Sequence, residues 1–509
     1  MHENRERKAG AVLSYFSIIA NTLVGLLYTP FLIRMLGQSE YGLYSLVASI
    51  IGYLTVFDFG FGNAVIVYTA KYRARKEYDK ERRLQGMFFV IFCIIAAIVA
   101  ALGTLLFFLL PTFFSDSMTE AELSKAKILV IILIINLVIN FIFTIYSSII
   151  TAYEKFVFQK ALNILSIMLK PAIMIPLLFL GYKSITMAIV VSVINFSILF
   201  ANYIFCKKKL KVSIHFDGFD KTLFKEILRY SFYIFLGIIV DKINYNVDNF
   251  VLGAVSGMVA VSVYSVAISI DELFRNISTA ISGIMLPKVT KMIAKNASDE
   301  DITTEFIKIG RLQFYIVFLI ASGFILVGKE FILSWVGADF IDAYYICIIL
   351  MIPSCVPLIQ NLGISILQAK NMHKFRSVLY VIIALFNIAI SIPLAKMYQG
   401  IGAAIGTSIA VIIGNIIIIN IYYHVKAKIN IIKFWKTIVG MIIPLILPII
   451  LIILFINFTQ FTGYSGIIIY GGFYTILYTI VCYTFVMNPY EKKLLNSVIK
   501  KVNHGKIHQ

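Results

Sequence analysis

A chain of 509 residues that is 60% hydrophobic and only 14% charged, with a mean hydropathy of +0.90, lies outside the range of soluble globular domains. Its net charge of +19 would suggest nucleic acid in a soluble protein, but on this apolar background the charge belongs to membrane topology, and no nucleic-acid partner is expected. The long apolar runs lack alternating polar positions, which excludes a lumen-lined β-barrel and leaves an all-α polytopic membrane protein.

The basic start MHENRERKAG resembles that of a signal peptide, yet the apolar segment behind it runs about 25 residues without a small-residue cleavage site, so it is expected to remain as the first span. Fourteen transmembrane helices are predicted, near 10–34, 41–68, 87–110, 128–152, 159–181, 184–206, 229–253, 258–286, 312–335, 343–368, 375–395, 400–424, 434–456 and 464–487. If the N-terminus is cytoplasmic, 36 of the 45 Lys and Arg fall on the inner side, and only Arg34, Lys125, Lys127, Lys183 and Lys396 fall outside. That asymmetry predicts both termini in the cytoplasm. The other four, Lys170, Lys242, Arg275 and Lys329, lie inside spans. The basic blocks at 71–83 and 206–211 read as topology determinants beside anionic lipid rather than as specific lipid sites.

Catalytic chemistry finds little room. The longest outer loop, 111–127, is too short for a catalytic domain, so no enzyme is expected. Five scattered cysteines form no disulfide framework, six histidines in tails, loops and span ends show no metal-ligand spacing, and neither a metal nor a cofactor is expected. No Walker sequence is present, so energy would come from an ion gradient, the membrane potential or substrate exchange. GIGAAIG at 400–406 is not a dinucleotide fingerprint, because its third glycine comes one residue late; Gly402 and Gly406 read as a helix-packing face.

An internal repeat organises the chain. YSLVASI at 44–50 recurs as YSVAISI at 264–270, each after a Leu-Gly pair (Leu36 and Gly37, Leu252 and Gly253), and YKSITMAIVVSV at 182 recurs as YQGIGAAIGTSI at 398. Both matches lay spans 1–6 over spans 7–12. The expected organisation is an N-terminal lobe at 1–210, a C-terminal lobe at 211–428, and spans 13 and 14 with a basic tail at 429–509.

Polar residues inside the spans are the candidate site. A charge at the bilayer centre costs about 2.5–3.5 kcal/mol on insertion scales, so it faces a cavity or a partner. In span 7, Asp241, Asn244 or Tyr245, and Asp248 share one helical face, while Lys242 lies about 100° round the helix. Span 8 carries Asp271 and Arg275 at i, i+4, with Glu272 beside them. Span 1 contributes Asn21 and span 2 contributes Asp58, which reads better as a cap or pairing group than as a substrate ligand. Lys170 lies mid-span before Pro171, where a kink can aim a cation into a cavity or at a neighbouring helix. For Asp271 and Arg275 the simpler alternative is an intrahelical ion pair that neutralises itself.

LGQSEYGLYSLVASIIGYLTVFDFGFGNAVIVYTAKY (36–72), VDNFVLGAVSGMVAVSVYSVAISI (247–270), MLPKVTK (285–291), GKEFILSWVGADF (328–340) and GIGAAIGTSIA (400–410) together resemble the Wzx-type polysaccharide-biosynthesis flippases of the multidrug, oligosaccharidyl-lipid and polysaccharide (MOP) exporter superfamily. The likeness covers nearly the whole chain, and its loose Gly, Tyr and apolar patterns carry no catalytic residues. It implies export of undecaprenyl-pyrophosphate-linked oligosaccharide from the inner to the outer leaflet of the bacterial cytoplasmic membrane by alternating access. Implied partners are that lipid-linked oligosaccharide, membrane lipids, protons or sodium as coupling ions, and other polysaccharide assembly proteins. Under this reading Arg275, Lys170 and Lys242 would attract phosphate, with Arg275 the first choice. Asn21, Asn244 and Tyr245 would serve sugars, and Asp241, Asp248, Asp271, Glu272 and Asp58 would pair charges or couple ions. The acidic excess equally suits a cation-coupled drug or metabolite antiporter of the same superfamily. A membrane polymerase or glycosyltransferase would need a larger outer loop, and a scaffold would leave the midplane charges without purpose.

Overall fold

The computed structural model describes residues 2–216, 221–283, 291–293, 297–370 and 372–503; side chains at 2–5, 7–8, 11, 229–230, 232–234, 236–246, 277–283, 373–374 and 498–503 are outside the description. The described residues are helical with no strand, and eleven of the helices are long and apolar enough to cross a membrane. The protein is a multi-pass membrane protein. One of the eleven, Phe375–Val425, contains a reversal at Tyr398 (φ −129°) and Gln399 (φ 50°), and the expected spans 11 and 12 fall on either side of it. The expected spans 7 and 8 coincide with α8 (Lys221–Val255) and α9 (Met258–Gly283).

Packing divides the chain into two compact units, residues 1–265 with 384–403, and residues 266–383 with 404–509. The first contains α1 (His2–Leu36), α2 (Gln38–Leu54), α3 (Phe61–Ala74), α4 (Tyr78–Phe114), α5 (Glu120–Ala152), α6 (Phe156–Phe179), α7 (Ser184–Ile204), α8 and the start of α9. Lipid tails are as apolar as leucine, so these helices are held by close fit and interhelical hydrogen bonds rather than by expulsion of water. Glycine supplies much of the fit: a Cβ on Gly103 of α4 would lie 2.3 Å from Ile134 of α5, and one on Gly86 would lie 1.9 Å from the His215 carbonyl. That second contact fastens the segment after α7 across α4, where Phe89 also meets Phe216 edge-on. The 111–127 segment, expected as a loop, is mostly helix, because Thr119 and Glu122 form a capping box that starts α5 after only five intervening residues.

The repeat has a backbone counterpart. Gly37 ends α1 at φ 80°, and the residue that repeats it is Gly257 at φ 83°, not Gly253. An offset of 220 places Gly257 opposite Gly37, and both lie between consecutive helices. Gly253 instead serves helix packing, since its lack of a side chain admits Leu46 of α2.

The second unit is built around α10 (Asp299–Trp335), which packs on α11 (Asp342–Ile359), α15 (Ile431–Thr459) and α16 (Gly463–Val481). Between α11 and α15 in the chain run the short α12 (Leu362–Ala369), α13 (His373–Val411), whose residues 384–403 belong to the first unit, and α14 (Ile419–Val425), and α17 (Pro489–Asn503) is the last helix described.

Candidate functional site

Span 2 is a broken helix. After α2 a tight 3₁₀ turn over Thr55–Asp58 leads to Phe59 (φ 51°) and Gly60 (φ 73°), and α3 starts afresh at Phe61. The Asp58 carboxylate accepts from the backbone N–H groups of Gly60 and Gly62, which a helix start leaves without intrahelical partners. Phe59 stacks on Phe235 of α8 at 4.3 Å, so the break is pinned.

Below it, α2, α8 and α9 share a polar junction. Asp248 is 3% exposed and accepts from the Tyr264 hydroxyl, Asn249 donates to Ser49 at 2.9 Å, and Ser265 donates to Asn249 at 3.4 Å. Tyr53 lies close enough to Asp248 to feel its charge. The other span 7 candidates, Asp241, Lys242, Asn244 and Tyr245, have side chains outside the described residues.

In the second unit Arg275 lies 3.1 Å from Asp271, one helical turn away on α9. Asp271 is buried and Glu272 is exposed, so these adjacent carboxylates face different surroundings. In its described geometry Arg275 spends its charge on Asp271.

Lys170 has different company. It lies in the middle of α6, half-buried, with no carboxylate within ion-pair distance among the described residues. α6 packs against α1, whose Asn21 is exposed. Amides and hydroxyls missed at the sequence level link the helices of this region: Ser17 of α1 donates to Asn163 of α6 at 3.0 Å, Asn136 of α5 joins Ser192 (3.1 Å) and Asn195 (2.6 Å) of α7, and Gln159 of α6 bonds Thr151 and Ser147 of α5. Asn136, Asn140, Thr144, Ser147 and Thr151 follow one helical face, a pattern legible without the structure. Among the described residues no three His, Cys, Asp or Glu are grouped to hold a metal ion.

The profile of the polysaccharide biosynthesis protein family matches residues 8–290, more than half of the chain. The chain belongs to that family. A proposed O-antigen transporter of Shigella flexneri is 24% identical over 420 residues, which cover 79% of this chain and 94% of that protein. Among solved structures, the lipid II flippase MurJ in an inward closed conformation superposes with a TM-score of 0.70 at 19% identity, covering 94% of this chain and 98% of MurJ. An inward-facing multidrug resistance MATE transporter of the MOP superfamily superposes at 0.60 and 14% identity, covering 78% and 96%. The fold is therefore that of the MOP superfamily, and the family's fold and relatives are those of transporters.

Proposed function

We propose that this protein is a flippase that exports undecaprenyl-pyrophosphate-linked oligosaccharide units, destined for O-antigen, capsule or another surface polysaccharide, from the inner to the outer leaflet of the bacterial cytoplasmic membrane. Both termini face the cytoplasm in this reading, and transport proceeds by alternating access, with lobes at 1–210 and 211–428. The observation that carries it is the likeness, over 79% of this chain and 94% of the relative, to a protein named for O-antigen transport. The chemistry agrees: the hydrogen-bonded amides and hydroxyls of α1, α5, α6 and α7 suit a cargo rich in hydroxyls, whereas an apolar drug would need few of them. A pyrophosphate bearing sugars cannot cross hydrocarbon alone, since an unpaired ion there costs on the order of tens of kcal/mol.

In this proposal Lys170, Lys242 and Arg275 serve phosphate, Asn21, Asn244 and Tyr245 serve sugars, and Asp241, Asp248, Asp271, Glu272 and Asp58 pair charges or carry a coupling proton or sodium ion. Lys170 takes first place over Arg275 for phosphate, because Arg275 must leave Asp271 to reach a substrate. The buried Asp248 gives the cation-coupled antiporter its best argument. Deleting the gene and assaying lipid-linked oligosaccharide by leaflet decides between the two: accumulation on the cytoplasmic leaflet is expected, and its absence together with uptake of cationic drugs by everted vesicles would select the antiporter.

A further inference from the structure

α1 and α6 are parallel neighbours in fixed register. Glu6 pairs with Lys155 (3.6 Å), Gly10 abuts Phe156, Ser17 bonds Asn163, and Phe31 meets Phe179 (5.5 Å), contacts whose sequence offsets stay between 146 and 149. On α6, Gln159, Asn163, Ser166 and Lys170 stand at i, i+4, i+7 and i+11, one face of the helix. On α1, Ser17 and Asn21 continue that face one turn apart. Asn163 is exposed and uses its carbonyl to accept from Ser17, which leaves its two amide N–H groups without an acceptor among the described residues. Lys170 likewise has three donors and no described acceptor.

This face cannot meet lipid tails. Lys170 sits nine residues short of the end of α6, about 14 Å along the axis and beyond the reach of its own side chain to the interface. A mid-membrane cation and an exposed amide with free donors need water or an acceptor-rich ligand. Their separation along α6 is about 10 Å, comparable with a diphosphate joined to one sugar ring.

We infer that the α1–α6 face is a headgroup subsite in the first unit, with Lys170 holding a lipid diphosphate and Asn163, oriented by Ser17, holding the first sugar; this rests on the export reading above and names where its cargo is gripped. The large apolar side chains exposed beside it on α1, among them Phe16, Leu23 and Leu27, offer a path for the polyprenyl chain.

The test uses the full-length protein in nanodiscs, with farnesyl pyrophosphate as the probe and farnesol as its uncharged control. Wild type is expected to prefer the pyrophosphate. Lys170→Ala is expected to weaken it about tenfold or more, with Lys170→Arg keeping most of the affinity. Asn163→Leu should weaken a sugar-bearing polyprenyl diphosphate severalfold more than it weakens farnesyl pyrophosphate, and equal weakening of the two would remove Asn163 from the sugar. Lys170→Ala binding as wild type does would overturn the subsite and leave the export reading intact. Wild-type protein that fails to distinguish the pyrophosphate from farnesol would overturn both.

Discussion

Gly37 and Gly257, 220 residues apart, hold the same turn, with φ of 80° and 83°, between consecutive helices of the two repeats. Each N–H bonds back into the helix it ends, to Ile33 and Leu252, and each carbonyl accepts from the next helix, from Tyr41 and Val261. L-residues rarely adopt such angles, so Gly37→Ala and Gly257→Ala should each cost about 1–3 kcal/mol, read as lower melting temperatures of the detergent-solubilised protein.

Close approach should cost more than strain. A Cβ on Gly42 would lie 1.9 Å from the Met258 carbonyl, whereas one on Gly25 meets nothing within 4 Å. Gly42→Ala is therefore expected to lower the melting temperature markedly. Gly25→Ala, which removes a flexible residue from a helix interior, should be neutral or stabilising by up to about 1 kcal/mol.

The C-terminal helix is fastened by a buried ion pair. Arg311 donates to Glu491 from Nε and Nη2, both at 2.7 Å, while Tyr315 adds a bond at 2.9 Å and Asn488 another from its backbone. Burial works to raise the Glu491 carboxyl, and the Arg311 bonds outweigh it, leaving it below the ordinary range. A depressed carboxyl contributes its full stability above the unfolded value near 4.3 and loses it as pH falls through the lower folded value. Thermal stability should stay level from neutral pH to about 5 and drop below about 4, and Glu491→Gln should flatten that drop. Arg311→Ala strands the carboxylate and should cost about 3 kcal/mol.

A closed amide pair holds the second unit where span 10 is interrupted between α11 and α12. Gln360 and Asn420 exchange hydrogen bonds at 2.8 and 3.1 Å, and Trp435 donates to the same Asn420 carbonyl at 3.1 Å. Asn420→Leu leaves the Gln360 amide and the indole N–H unsatisfied, at about 1–3 kcal/mol for each group. Adding Gln360→Leu should recover part of the melting temperature.

Asp271 and Arg275 can be tested as a unit. Arg275→Ala alone leaves a buried carboxylate without its cation and should reduce the amount of folded protein. The Asp271→Asn, Arg275→Gln double variant keeps the shapes and removes both charges. It should restore folding and support export in a complementation assay; loss of export from well-folded double variant would return Arg275 to the phosphate.

Much of this was legible in the sequence because the membrane restricts the choices. Long apolar runs gave helices, and charges within them at i, i+4 gave the Asp271 and Arg275 pair its geometry. The α6 stripe is equally legible, since Gln159, Asn163 and Ser166 precede Lys170 at helical spacing, although uncharged amides are common enough in spans to stand out less than a charge. A Leu-Gly pair precedes each copy of the repeated segment, but the residue at the constant offset of 220 from Gly37 is Gly257, and only the backbone angles show that these two share a turn. The break at Asp58 needed backbone angles, although three glycines in a short span hinted at it. Arg311 and Glu491 stand 180 residues apart, and no local pattern joins them.

The contact at Gly42 has a meaning of its own. With an offset of 220, residue 42 corresponds to residue 262, and a Cβ on Gly42 would lie 3.2 Å from that of Ser262. The position thus packs against its own counterpart. Two identical side chains of any size would compete there for one volume, so one copy surrenders its side chain and the other keeps a small one. A contact between the two copies of a repeated segment is workable here only because the copies are not quite alike.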